Sequence, residues 1–211
     1  DDKLVYEVAL FSAKFDNKMT LVGVPNAAGT ATLYSYVVNS GSYDNKGLEA
    51  MVKYTLLSSE TGFIKTLRPF ANVTYSDFKY NSFTFQNNVL VPPADYSGNK
   101  VAGVAPITAN GGVDVTTRNG LYGNVTYMFR ETMPFTPDGL NSAPSYGLLN
   151  AKIGFRKTIA THWDADFYLG ANNITSVQYA QMVFVNQLPD AFLPGPKDIN
   201  YFGGVNLKYT F

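Results

Sequence analysis

One pattern constrains this chain above all others. Apolar and polar residues alternate with period two through segment after segment, and no apolar run is long. From Tyr201 to Phe211 the odd positions read Tyr, Gly, Val, Leu, Tyr, Phe; between them lie Phe202, Gly204, Asn206, Lys208 and Thr210. Such spacing places alternate side chains on opposite faces of a β-strand. Gly147–Lys157, Leu121–Arg130, Asp164–Asn172 and Leu48–Leu56 repeat it. Further strands are expected at Leu4–Val22 and Thr66–Tyr80, with a weaker one at Ala105–Thr116. The second strand starts near Ala31 and carries on through Gly47. The expectation is an all-β chain of about eight antiparallel strands.

The longest obvious apolar run is Tyr36-Val37-Val38, far short of the roughly 18 residues of a membrane helix. A helical membrane protein is excluded. A transmembrane β-barrel is not, because its strands need only about 9–11 residues and alternation dilutes their apolar signal.

Composition narrows the function classes. Sixteen basic residues balance sixteen acidic ones, so nucleic acid is not an expected partner. There is no Cys and one His, which leaves no thiol chemistry, no Cys-ligated metal and little basis for a histidine relay. No cofactor and no metal site are expected. Charged residues make up only 15% of the chain where about 25% is usual.

Connection lengths separate a barrel from a soluble β-sandwich, since both bury one strand face. Leu57–Lys65, Thr117–Gly120 and Thr158–His162 are short. Phe83–Val104, Thr132–Tyr146 and Thr175–Ile199 are long and lie at the opposite strand ends. Tight turns on one rim and long loops on the other are the outer-membrane barrel pattern. Tyr201, Tyr209, Phe211, Phe129 and Phe155 lie on the apolar face near strand ends, as interface girdles do. The polar face carries Glu49, Lys53, Arg130, Lys152, Arg156, Asp164, Asp166 and Lys208. A Lys or Arg facing lipid at the midplane costs roughly 2–4 kcal/mol, so these residues are expected to face a lumen.

Four stretches carry a resemblance. Asn39-Ser-Gly and Gly47-Leu48-Glu49 open a long strand. Asp166–Thr175 is followed by Gln178-Tyr179. Pro194-Gly-Pro-Lys197 precedes the last strand, and Tyr209-Thr210-Phe211 ends the chain. In this order they resemble the C-terminal part of TonB-dependent outer-membrane receptors, the 22-stranded barrels that import scarce nutrients. Lys197 stands where the family pattern has Arg. The resemblance implies that residues 1–211 are a C-terminal portion of such a barrel, without the plug domain and the earlier strands. It implies the bacterial outer membrane, and as partners the rest of the receptor, TonB acting through the plug, membrane lipid and a small-molecule substrate. Energised transport, most often of a ferric siderophore, is the implied function, and enzymatic activity is not.

Within that frame the long loops hold the substrate candidates: Phe83, Phe85, Tyr96, Phe135, Tyr179, Met182 and Phe184. Arg130, at the outer end of its strand, is the candidate for attracting an anionic ferric complex. Tyr209 and Phe211 fit the aromatic terminus read by barrel-assembly machinery. His162 falls in a periplasmic turn, the wrong side for haem capture or for outer-face catalysis. Asn72, Asn124 and Asn173 match glycosylation acceptors but lie within strands. A complete eight-stranded barrel with a structural or small-channel role stays open; it requires the first and last strands to pair with each other.

Overall fold

The computed structural model describes residues 3–188 and 191–211, and no helix occurs among them. Eight strands carry the architecture: β1 (Leu4–Pro25), β2 (Thr32–Tyr54), β4 (Ile64–Phe85), β6 (Ile107–Thr117), β7 (Leu121–Arg130), β10 (Tyr146–Ala160), β11 (Trp163–Asn172) and β14 (Asn200–Tyr209). The short β3 (Leu57–Ser58) and β5 (Ala94–Asp95) pair with β4. β8 (Met133–Pro134) pairs with β9 (Ser142–Ala143), and β12 (Ala180–Val183) with β13 (Phe192–Pro194). The eight long strands follow chain order, each antiparallel to the next. Among the described residues, the one strand that β1 pairs with is β2 and the one that β14 pairs with is β11. The first and last strands therefore do not close on each other, and the sheet is open.

Register sorts the faces. Tyr6, Val52, Ala71, Gly111, Tyr127 and Leu149 form one cross-strand row, and Val113, Val125, Ala151, Ala171 and Tyr201 belong to another. This apolar face is open to the surroundings: Tyr6, Leu10, Ile153, Leu169 and Tyr201 are all more than half exposed. Stretches such as Leu121–Phe129 and Gly147–Phe155 match the 9–11 residues that a tilted strand needs to cross a bilayer core. The opposite face holds every one of the eight charges read from the alternation. Lys152 pairs with Asn124, Arg156 with Asp166, Asp164 with Lys208, Glu49 with Thr74 and Lys53 with Phe70.

Aromatics are not confined to the apolar face. Phe11, Phe70, Tyr122, Tyr168 and Phe202 lie on the charged face, each directly opposite a glycine: Gly47, Gly112, Gly154, Gly204 and Gly170. A Cβ on Gly154 would meet the Tyr122 ring at 2.3 Å, and one on Gly170 the Phe202 ring at 2.2 Å. The glycine leaves room for the ring to lie across the neighbouring strand, covering backbone that no side chain there would shield.

Buried apolar side chains are few among the described residues, and apart from Ala165, near the turn into β11, they collect at the long-loop end. Tyr80, Phe83 and Val101 form one cluster; Ala105, Met133, Phe135, Ala143 and Ala191 form the other.

Candidate functional site

The polar face and the long-loop end carry the chemistry. On the polar face, Asp166 accepts from Arg156 Nη2 at 2.8 Å and from the Tyr122 hydroxyl at 2.7 Å. Lys152 sits over two rings, 5.4 Å from the Tyr122 centroid and 4.9 Å from that of Tyr168. Asn124 donates to Asp114 at 2.7 Å. Lys65, Arg68, Lys152 and Arg156 border a trough of about 870 Å³ that also contacts Asp114 and Asn150. Arg68 Nε is buried there without a protein partner. This wall is basic, pre-ordered by cross-strand bonds, and still has donor capacity.

At the opposite end the three long loops lock together through backbone. Gly103 N–H donates to the Pro134 carbonyl at 2.7 Å, and Asn186 N–H to that of Phe135 at 2.8 Å. Asn99 donates from its side chain to the Pro137 carbonyl at 2.9 Å. Phe135, buried in this junction, meets Phe192 edge to face at 5.2 Å.

Asn173 is a second tie. It is 3% exposed, with φ of 50°, a left-handed conformation that Asn tolerates better than most residues. Its amide donates to the carbonyls of Val177 at 2.9 Å and Pro196 at 3.0 Å, and its side-chain oxygen accepts from Val177 N–H at 2.9 Å. Its own N–H donates to Asn150 at 3.0 Å. It thus joins the stretch ending at Tyr179 to Pro194–Lys197. Tyr179 lies over Gly195 and against Tyr146, 4.9 Å between centroids, and the Arg130 guanidinium covers the other partner of that pair, Tyr146, at 4.6 Å. Arg130 also donates to the Pro144 carbonyl at 3.3 Å, while its Nε is buried without a partner.

The candidates read from the sequence separate here. Phe184 and Met182 are open to the surroundings, 40% and 51% exposed. Phe85 and Tyr96 are half-buried at the rim of the first cluster. Phe83 is 2% exposed and stacks on Tyr80 at 4.0 Å, so it supports the wall and has no free face. Lys18 lies over Tyr43 at 4.6 Å, with Tyr80 and Phe83 a little farther off. Burial pushes its ammonium below the usual range and the Tyr80 phenol above its own. At the turn end, Tyr209 packs against Trp163 at 5.1 Å and Phe211 at 5.0 Å, and the His162 Nδ1 lies 2.9 Å from the Thr210 carbonyl. Among the described residues no group of His, Asp and Glu is placed to hold a metal.

The sequence reading missed Asn173 as a tie, Lys18, and the ring–glycine pairs. Asn173 did fall inside a quoted motif. The glycine pairs left no local signal, because their partners lie on different strands.

Comparison with known proteins agrees with this geometry. No curated protein matches the sequence. The siderophore receptor PiuA of Acinetobacter baumannii superposes with a TM-score of 0.69 at 15% identity, over 97% of this chain and 26% of its own. The ferric yersiniabactin uptake receptor FyuA of Yersinia pestis gives 0.61 at 17%, over 100% and 28%. The copper transporter OprC gives 0.66 at 12%, over 100% and 29%. The chain spans little more than a quarter of each, and its open sheet has the fold of a section of such a barrel. The family described as TonB dependent receptor-like, beta-barrel, matches residues 1–174, and the chain belongs to it.

Proposed function

We propose that this chain forms wall and outer loops of a receptor that imports a scarce nutrient, a ferric siderophore, across the outer membrane of a Gram-negative bacterium. One observation carries the reading. An open sheet with one apolar face and one charged face is capped at a single end by three interlocked loops. Lipid accounts for the apolar face, a plug domain for the basic lumen wall, and substrate capture for loops gathered on one rim. PiuA and FyuA are named as siderophore receptors, which favours that cargo; OprC is named as a copper transporter, which makes copper the competitor to test.

Substrate would meet Arg130, Tyr179 and Phe184, with Met182 and Phe85 beside them. Arg130 supplies fixed positive charge at the mouth, and its unpaired Nε a spare donor. Phe83 would act only as support under Phe85. TonB, pulling on the plug, would open the route beside the wall. Tyr209 and Phe211 would serve as the assembly signal.

Binding of a panel of ferric siderophores and of copper to the full-length protein, read by fluorescence quenching, tests the cargo. A ferric siderophore should bind with sub-micromolar affinity and Arg130→Gln should weaken it about ten-fold. Copper binding without siderophore binding would overturn the siderophore reading.

A further inference from the structure

One chemical unit occurs twice on the polar face. At the long-loop end the Lys18 ammonium lies 4.6 Å from the Tyr43 ring centre and 5.5 Å from that of Tyr80. Toward the turn end the Lys152 ammonium lies 5.4 Å from the Tyr122 ring centre and 4.9 Å from that of Tyr168. Among the described residues neither lysine makes an ion pair. A ring face attracts an ammonium without cancelling its charge, so both lysines stay able to hold an anion.

The second unit belongs to an ordered row. Arg68, Asp114, Asn124 and Lys152 stand directly opposite one another on β4, β6, β7 and β10. Arg68 faces Asp114, yet the two form no ion pair, and Asp114 accepts from Asn124 instead. Asp166 is taken by Arg156 and Tyr122. Lys65, Arg68 and Lys152 therefore border the trough without an ion-pair partner among the described residues, and the buried Arg68 Nε has no acceptor. With Arg156, four cations meet two carboxylates, and the excess repels itself; folding does not account for it. Arg68 and Lys152 stand three strand spacings apart, roughly 14 Å between backbones. An anion that meets both must be broad, with its charge spread over several oxygens. The trough, about 870 Å³, has the size of sites that hold such molecules, roughly 300–1,000 Å³. Thr117, Gly120 and Leu121 line it, which sets it at the turn end, away from Arg130.

We infer that this trough is a second station for the cargo, an anionic ferric chelate, held by Lys65, Arg68 and Lys152 after it has left the rim. The inference rests on the import reading above, which makes the polar face a lumen wall and the turn end its periplasmic side. Lys18 and Lys152 then present the same chemistry near the entrance and near the exit. Excess positive charge along one wall raises the local concentration of an anion at that wall. The plug is the competing occupant of the trough.

The test uses cells whose one ferric-siderophore receptor is the full-length protein. Uptake of radioactive iron is followed with an anionic and with an uncharged ferric siderophore. Binding is measured on the same cells without an energy source, and entry of vancomycin reports a loosened plug. In the combined Lys65→Gln, Arg68→Gln and Lys152→Gln variant, binding should stay within about two-fold of wild type. Maximal uptake of the anionic complex should fall about ten-fold. The charge-keeping variant Lys65→Arg, Arg68→Lys and Lys152→Arg should restore uptake, which a role in shape alone would not allow. Should the triple Gln variant fail to insert, Lys65→Gln alone, at an exposed side chain, carries the test with a fall of about three-fold. Unchanged uptake overturns the inference, and so does an equal loss for the uncharged complex. Lost uptake together with vancomycin entry assigns the cations to the plug and overturns it as well. A wild type that imports neither complex overturns the import reading itself.

Discussion

Two stretches of the same sheet reach the long-loop end by different means. β1, β2 and β4 are 22, 23 and 22 residues long and simply continue past the apolar edge. β6, β7, β11 and β14 run 10 or 11 residues and stop there, at residues such as Phe129 and Tyr201, handing over to loops. The tall stretch needs its outward face to change from apolar to charged in mid-strand, and it does so between Leu10 and Ser12, whose row also holds Lys46 and Asp77. The short stretch needs no such change, since the chain turns away from the sheet. Above the edge, the tall stretch is held by a small aromatic core around Phe83. The loops of the short stretch are held by backbone ties and by Asn173. Continuous pairing gives height with little burial; loops need dedicated ties for every turn.

The largest expected effect breaks the tall stretch. Phe83→Ala removes a buried ring stacked on Tyr80 and should cost about 3–5 kcal/mol. The loss should be confined to the extension. Hydrogen exchange should accelerate at Tyr80, Tyr96 and Val101 while amides near Val52 stay protected; uniform loss of protection would mean that the extension and the membrane section fold as one unit.

Next comes a matched pair of charges. Val125→Lys, in the middle of the apolar face of the short stretch, should cost roughly 2–4 kcal/mol. Leu21→Lys, on the same face of β1 but above Lys14 and its partner Asp16, should cost under about 0.5 kcal/mol. Both are measured by urea unfolding in vesicles. Equal costs would place Leu21 in lipid and erase the distinction between the two stretches.

Asn173→Ala sharpens the account of the loops. It leaves the carbonyls of Val177, Pro196 and Lys197 and the Val177 N–H without their side-chain partner, and should cost about 1–3 kcal/mol. Exchange should rise at Val177 and Gly195 without spreading to β1 or β2.

What the sequence showed of this contrast follows from periodicity. β7 is legible to both ends, Leu121 and Arg130, because nothing interrupts its alternation. The upper half of β1 and β2 is not, because register irregularities shift parity. One leaves an extra residue in β1 between Phe15 and Lys18, where Asn17 has φ of 60°; another leaves one in β2 between Asn39 and Gly41. Gly41 beside it has φ of 128°, and a Cβ there would sit 1.5 Å from the Ser82 carbonyl oxygen, so only glycine fits. After such a shift the same face carries residues of the other parity, and a period-two reading fails. Rim residues were legible as loop aromatics, but whether one is exposed like Phe184 or enclosed like Phe83 depends on pairing across strands. Asn173 shows the same limit: its partners Pro196 and Lys197 lie in a different motif, and only the fold brings them together.

The smallest effect concerns the hairpin at the top of the tall stretch. The Ser97 hydroxyl and backbone N–H donate to Asp95 Oδ1 at 2.5 and 2.9 Å, and hold its carboxyl below the usual range. The same hydroxyl oxygen accepts from Phe83 N–H at 3.0 Å. Asp95 therefore orders, through Ser97, the backbone of the residue that anchors the extension. Its carboxyl is depressed in the folded state and ordinary when unfolded. Its contribution is therefore fully present above about pH 4 and lost as pH falls through the folded value. Protection of the Phe83 and Ser97 amides, corrected for intrinsic exchange, should drop over that interval in the wild type. In Asp95→Asn it should start lower and stay flat. A fall of equal size in the variant would assign the acid sensitivity to another group. It would also leave the tall stretch resting on its aromatic core alone, without the polar support that the short stretch takes from Asn173.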